Sequence, residues 1–494
     1  MIICLPPNIN INLFVHKSLS WARGLAWIRH LASAFIAEGR NQKIVGSNPT
    51  GPAINLFLEC ALFLWGLNLK AILFIGDGMA DRPVAALGNR TPLEAARKPN
   101  MDEIARRGIS GEMYTIAPGV PPGSDTAHLA LLGYDPYEVY TGRGPFEAAG
   151  AGIDLRPGDI ALRANYATVD NALVIKDRRA GRIQGTKPLT EAVGQIKLSG
   201  AQFIFRSTAG HRAALVLRGT GLSYEITDSD PYEIGKKVLQ VKPLLRPSED
   251  MELARAIMAG GVRKYLGRRR RATKTAKLLN DFSRKSYEIL KNHPLNRERV
   301  MKGLPPANYI LLRGAGVAPH LKPLQEKFDI KGACVAAAAL VKGVCRMAGM
   351  TVIDVPGATG SVNTDLNAKR EAVVQALKTN DLVVLHIKGF DEVSHDGNAP
   401  AKVQFIERVD AMLGSLIGAA DFIALAIDHT TPVSVREHTG DPVPVTIAGP
   451  GVRADDVSVY SERAAAEGGL GRIFGKELLP ILVDLMGQSK KFGA

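Results

Sequence analysis

The stretch Asp381–Pro444 constrains this chain more than any other. DLVVLHIKGFDEVSHDG and DFIALAIDHTTP each begin as an apolar run and end in acidic and imidazole side chains. An apolar run without polar alternation reads as a strand buried on both faces, the habit of parallel strands in α/β folds. Such sheets gather their chemistry at the C-terminal ends of strands. EHTGDPVPV follows closely, so Asp391, His395, Asp428, His429 and His438 all lie at strand ends or just beyond. They include three of the chain's 10 histidines. A single Asp-His pair would read as surface scatter; three pieces in one segment point to metal. Carboxylate with imidazole suits Mn²⁺ or Zn²⁺, and a mixed set of this size can hold a pair of ions.

The remaining composition narrows the setting. With 494 residues, 46% hydrophobic and 22% charged, the chain is long enough for two or three globular domains. Its formal charge of +14 suggests an anionic partner, either a phosphorylated small molecule or nucleic acid. The cysteines Cys4, Cys60, Cys334 and Cys345 form no CxxC pair. Neither a disulfide framework nor a structural zinc site is indicated, and a reducing cytoplasm is the simplest setting.

Met1–Asn68 differs from the rest. Its short apolar runs close no core, it lacks the early basic region of a signal peptide, and the runs are too short to span a membrane. Codons can be chosen for Val45–Thr50 so that the ends pair around a loop. Trp21–Arg23 pairs likewise with Thr50–Pro52, and Ala53–Ile54 then supplies a CCA end. The segment reads as a transfer-RNA gene translated as protein, with the natural start near Leu69. The other reading is a disordered extension.

From Leu69 onward an α/β rhythm sets in. KAILFIG is a first buried strand with Asp77 at its tip. APGVPPGSDTAHLALLGYDP follows, a tight loop running into a helix at Ser124. Ser124 reads as a helix N-cap or as a nucleophile at a helix N-terminus, where free N–H groups favour a phosphoryl group. The metal set elsewhere favours the nucleophile. After Gly144 alternating strands with interspersed basic residues take over. Arg163, Arg178, Arg179, Arg182, His211 and Arg212 are candidate anion contacts there, with DRRAGR (Asp177–Arg182) the best cluster. Arg263–Lys302 is helical and strongly basic but poor in stacking aromatics. It reads as a solvated helix face rather than a nucleic-acid site. From Ala307, ANYILLRGAG is taken to resume the first sheet. The expectation is a split α/β domain, 69–144 with 307–494, carrying a mostly parallel sheet flanked by helices. A smaller α+β domain, 145–306, is inserted.

IGDGMAD, PPGSDTAHLALLGYDP, TGRGPFEAAGAGI, KGFDEVSHDG, DHTTP and EHTGDPVP together resemble the archaeal-type cofactor-independent phosphoglycerate mutases of the alkaline phosphatase superfamily. The resemblance covers essentially all of Leu69–Ala494. It implies an isomerase that moves phosphate between the 3- and 2-hydroxyls of glycerate through a phosphoserine at Ser124. It also implies two divalent ions, Mn²⁺ first, with Co²⁺, Zn²⁺ and Mg²⁺ as alternatives. One would be held by Asp391, His395 and His438, the other by Asp77, Ser124, Asp428 and His429. Asp177 joins the arginines and His211 as an expected substrate contact. A phosphoglycerate is the implied partner, with neither nucleic acid nor membrane. The rival reading is a related phosphotransferase or phosphatase. One departure stands out: Ala426-Ile427 precedes the Asp-His pair where relatives carry Thr-Gly.

Overall fold

The computed structural model describes residues 69–244, 262–491 and 493. The transfer-RNA-like segment Met1–Asn68 lies outside the described residues. Three fully buried strands form the centre of the larger sheet: β1 (Ala71–Gly76), β10 (Leu382–Ile387) and β11 (Phe422–Ile427). Their sequences, AILFIG, LVVLHI and FIALAI, are the apolar runs that both-face burial demands. Both neighbours run parallel to β1, and Gly76 pairs with Ile387 on one side and Ile427 on the other. The three strands therefore end level. This register sets Asp77, Lys388 and Asp428 in one row at the carboxyl edge.

Other strands widen that centre. Beyond β10 lie β8 (Gly332–Val335) and β9 (Thr351–Ile353), both parallel. Beyond β11 lie β12 (Val443–Ala448) and β2 (Gly108–Tyr114), each antiparallel to its inner neighbour, then β13 (Gly471–Phe474) parallel to β2. The result is an eight-stranded, mostly parallel sheet with helices on it.

A second sheet of five strands is antiparallel throughout. It comprises β3 (Ile160–Val169), β4 (Ile175–Asp177), β5 (Gln202–Ser207), β6 (Arg212–Arg218) and β7 (Tyr309–Gly316). Here the structure corrects the sequence reading. The strand in ANYILLRGAG pairs with β3, Ala164 opposite Leu312, and not with the larger sheet, which resumes only at β8. An apolar strand carries no label for its partner. The antiparallel pairing gives β7 a buried neighbour at once, whereas the large sheet's centre was already filled by β1, β10 and β11.

Seven helices matter below: α1 (Ser124–Leu131), α2 (Gly144–Gly150), α3 (Val262–Lys291), α4 (Ala339–Met347), α5 (Gly389–His395), α6 (Ala399–Gly414) and α7 (Gly475–Leu485). The basic run falls largely in α3. Its buried Ala272, Ala276, Leu279 and Phe282 face the second sheet, while Arg269, Arg270 and Arg271 are exposed. Phe282 meets Phe203 of β5 at 5.3 Å between ring centroids. Leu478, Leu479 and Leu482 of α7 join the large sheet's core.

Helix α2 is the wedge between the two sheets. It packs on β3 and against α4, with glycines where backbones cross. A Cβ on Gly343 of α4 would stand 1.8 Å from the Phe146 carbonyl oxygen, and one on Gly150 would stand 1.8 Å from that of Ala339. In an exposed helix Gly→Ala stabilises by about 1 kcal/mol. Here the clash is with main chain and cannot be relieved by a rotamer, so the sign should reverse. Gly343→Ala is expected to destabilise the protein by about 1–3 kcal/mol, seen as a lower urea midpoint at unchanged slope.

Candidate metal centre

The row at the carboxyl edge is crowded with buried acids. Asp77, Asp391 and Asp428 are all buried, Asp391 being presented by α5 just after β10. A cluster of three carboxylates repels itself, since two unit charges 4 Å apart cost about 4 kcal/mol at an effective dielectric of 20. One cation of the chain answers part of this. Lys388 Nζ lies 3.1 Å from both oxygens of Asp77 and 2.6 Å from Asp391 Oδ2. Burial opposes charge on Asp77 and Asp391, yet Lys388, joined by His386 at Asp77 and by His395 and His438 at Asp391, holds both carboxyls below their usual range. Asp428 has no such relief. Burial, with Asp77 beside it, pushes its carboxyl well above the usual range, although the Gly78 N–H donates to its Oδ1 at 3.0 Å.

The histidines complete the set. Each turns Nδ1 outward to an anchoring acceptor: His395 to the Arg436 carbonyl at 2.7 Å, His438 to that of Pro122 at 2.7 Å, and His429 to Thr431 Oγ1 at 2.9 Å. The Thr431 hydroxyl in turn donates to Asp391 Oδ1 at 3.3 Å. Tethered Nδ1 atoms leave every Nε2 aimed inward, which is how ligating imidazoles are held. His395 Nε2 lies 3.2 Å from Asp391 Oδ1, His438 Nε2 3.4 Å from the same oxygen, and His429 Nε2 3.2 Å from Asp428 Oδ2.

Among the described residues, two groups could each hold an ion: Asp391 with His429 and His438, and Asp77 with Asp428 and His429. The offered atoms of each group lie within 4.8 Å of one another. Two observations fit a divalent cation. Asp428 Oδ2 and His429 Nε2 are buried without a hydrogen-bond partner, and one lysine serves only two of three carboxylates. Burial, then His438, keeps the His429 imidazole far below its usual range, so it is neutral and free to ligate. His429 stands in both groups, yet its one free ring nitrogen, with Nδ1 tied to Thr431, can serve a single ion.

Ser124 is the first residue of α1, and Gly123 occupies the capping position. The N-cap reading of Ser124 is thereby replaced. Two histidines draw its loop to the acids. His438 holds Pro122, and His128 donates from Nδ1 to the Ser124 carbonyl at 2.6 Å while standing 3.9 Å from Asp428 Oδ2. Burial lowers His128 to about 3, so it is neutral.

The second sheet brings an arginine group to this edge. Arg163 lies 3.6 Å from Glu147, which Arg143 also holds at 3.0 Å. Burial and the neighbouring Arg143 pull Arg163 well below its ordinary value. Burial likewise depresses Arg212, and Asp391 of the acid cluster is among the charges acting on it. His211 falls to about 3 through burial and the surrounding Arg212, Arg163, Arg179 and Arg313. The DRRAGR cluster divides by role. Asp177 accepts from the Arg179 and Gly181 N–H groups at 2.7 and 2.8 Å and shapes the turn. Arg178 is paired with Asp230 at 2.7 Å, and Arg182 reaches Asp396 at 3.5 Å, next to His395.

Sequence reasoning passed over His128, His386, Lys388, Arg143 and Arg313. His386 Nε2 donates to Asp77 Oδ2 at 2.9 Å, and Arg313 Nε is buried without a partner. His386 and Lys388 sit inside and just after an apolar strand, and two polar residues before Asp391 were the signal available. Arg143 lies in TGRGPFEAAG, a motif already singled out.

Because His429 is the one imidazole in the group with Asp77 and Asp428, His429→Ala should lose about half of the wild-type metal, measured by elemental analysis after dialysis. Wild-type metal content in the variant would refute its assignment as a ligand.

A family model described as 2,3-bisphosphoglycerate-independent phosphoglycerate mutase matches residues 105–296. A protein of that name from Methanothermobacter thermautotrophicus is 50% identical over 431 residues, covering 86% of this chain and 100% of that one. A solved structure of a Pyrococcus horikoshii protein superposes with a TM-score of 0.70 at 38% identity, covering 87% of this chain and 100% of the other. The cofactor-independent phosphoglycerate mutase of Thermoplasma acidophilum does so with a TM-score of 0.58 at 37% identity, covering 85% and 100%. No described helix is long and apolar enough to cross a membrane. On this similarity, read with a metal-fitting acid cluster at level strand ends, the chain belongs to the 2,3-bisphosphoglycerate-independent phosphoglycerate mutase family.

Proposed function

We propose that this chain is a phosphoglycerate mutase, an isomerase of glycolysis and gluconeogenesis, and that it carries the phosphate on Ser124 between the two hydroxyls of glycerate. The observation that carries this reading is the start of α1 lying beside the acids: His438 bonds the Pro122 carbonyl at 2.7 Å, and His128, one turn after Ser124, stands 3.9 Å from Asp428. Asp77, Asp428 and His429, with Ser124, would hold one divalent ion; Asp391, His395 and His438 would hold the other. Ions held there would lower the pKa of the Ser124 hydroxyl and neutralise charge on the phosphoryl oxygens. Mn²⁺ suits the mixed carboxylate and imidazole donors and is the first choice, with Co²⁺, Zn²⁺ and Mg²⁺ as alternatives.

Ser124 Oγ forms a bond to phosphorus as the bond to glycerate O3 breaks. The proton given up by Ser124 is balanced by the one taken up at O3. Glycerate then turns within the site, and its O2 attacks the phosphoserine, freeing Ser124 for the next cycle. The free N–H groups at the start of α1 would favour charge on the phosphoryl oxygens. Lys388 keeps Asp77 and Asp391 ionised for ligation. Arg163, Arg212, Arg179 and Arg182, with the neutral His211, would grip the glycerate carboxylate and phosphate, their forks each taking two oxygens. Arg143 and Arg313 join them. Asp177 would act through the turn it shapes, and Arg178 through its pair with Asp230. Segment 145–306, with β7 added to it, would close over glycerate and keep water from the phosphoserine, which separates a mutase from a phosphatase. A small phosphorylated sugar acid as substrate supports a cytoplasmic location.

Ser124→Ala should abolish conversion of 3-phosphoglycerate, by more than about 10³-fold, while metal content stays at the wild-type level. The coupled assay should need no added bisphosphoglycerate. Substantial residual turnover in the variant would reject the assignment. Arg212→Met should raise KM for 3-phosphoglycerate without lowering metal content.

A further inference from the structure

Behind the ligand loops lies a buried ion network that the mechanism does not use. Lys402, on α6, is fully buried, a rare state for a lysine. Its three N–H donors meet three acceptors: the Ala80 carbonyl at 3.1 Å, Asp81 Oδ2 at 2.8 Å and the Thr431 carbonyl at 3.1 Å. Ala80 ends the loop that begins at Asp77. Thr431 sits in the loop that begins at Asp428 and His429. The two loops touch through an Ala80–Thr430 bridge and a Thr431 N–H donated to the Ala80 carbonyl at 3.2 Å. Asp81 extends the stitch by accepting from the Val433 N–H at 3.2 Å, and Glu462 steadies Asp81 by accepting its N–H at 3.0 Å.

We infer that Lys402 is a positioning residue for the metal centre: its ammonium sets the spacing between the Asp77 loop and the Asp428–His429 loop. Packing alone would be as well served by a methionine, because replacing a buried ion pair by apolar groups is often neutral. Only a point donor on a long stem can draw two carbonyls and a carboxylate from different loops onto one atom. Arg presents a planar fork that does not converge, and Gln is too short and carries two donors. Thr431 relays the spacing directly, since its hydroxyl joins His429 Nδ1 to Asp391 Oδ1. This inference rests on Asp77, Asp428 and His429 being metal ligands.

The test compares wild type, Lys402→Met and the double variant Lys402→Met with Asp81→Asn. The second change removes the stranded charge and keeps an acceptor for Val433. Metal-free proteins are titrated with Mn²⁺ by calorimetry, melted, and assayed for kcat and KM. Lys402→Met should lose both thermal stability and metal affinity. The double variant should regain most of the melting temperature yet bind Mn²⁺ about 10–100-fold more weakly than wild type. Its kcat should fall at subsaturating metal with KM for 3-phosphoglycerate little changed. Wild-type Mn²⁺ affinity in the double variant would overturn the positioning role while leaving the ligand assignment intact. Failure of the double variant to fold would overturn it too, because Lys402 would then be supporting the core rather than the loops. If wild type took up no Mn²⁺, or His429→Ala took up as much as wild type, the ligand assignment itself would fall and this inference with it.

Discussion

Three carboxylates buried side by side at the ends of parallel strands are the constraint on which the rest of this structure turns. Burial and mutual repulsion each disfavour their charge. Lys388 satisfies Asp77 and Asp391 and leaves Asp428 strained toward its neutral form. The energy to hold them there comes from the core below. Ile72, Phe74, Val384, Leu385 and Leu425 are wholly buried, and each such apolar side chain contributes about 1.5–3 kcal/mol. An apolar sheet of this size can carry a polar edge that would not be tolerated in a smaller fold.

The two sheets divide the work by their geometry. Level parallel strands present short loops in a row, which suits groups that must converge on a point. The antiparallel sheet presents side chains along strands, and Arg163, Arg212 and Arg313 rise from β3, β6 and β7 as a charged surface. Each surface is unstable alone. Burial, and then the mutual repulsion of the arginines, depresses Arg163 and His211, and the acids repel. Glu147 eases the first and Lys388 the second. The wedge of α2, with bare backbone crossings at Gly150 and Gly343, joins the frame on which both are built.

Much of this was legible in the sequence because strand ends announce themselves. An apolar run that stops in Asp or His marks both the strand and its chemical tip, so Asp77, Asp391, His395, Asp428, His429 and His438 could be singled out. Residues with the opposite signature were not. His386 and Lys388 interrupt or follow an apolar run, and His128 is one polar residue in a buried helix. Their functions come from neighbours distant in the chain: His386 from Asp77, His128 from Asp428. DRRAGR was visible as charge, yet charge alone could not tell Arg178, paired with Asp230, from arginines that face the acid cluster. β7 went to the wrong sheet for a similar reason, since apolar character predicts burial and not a partner.

What the sequence determined by itself was the α/β class, the strands that end in chemistry, the kinds of ligand and the loop that carries Ser124. Periodicity and residue type are local properties, and a linear chain displays them openly. Only the tertiary structure decided that β1, β10 and β11 end level, that His429 Nε2 stands within reach of all three acids, and that Lys402 ties the loops together from behind. Those are relations across some 300 residues, set by strand register and by which buried donor finds which carbonyl, and no local pattern encodes them.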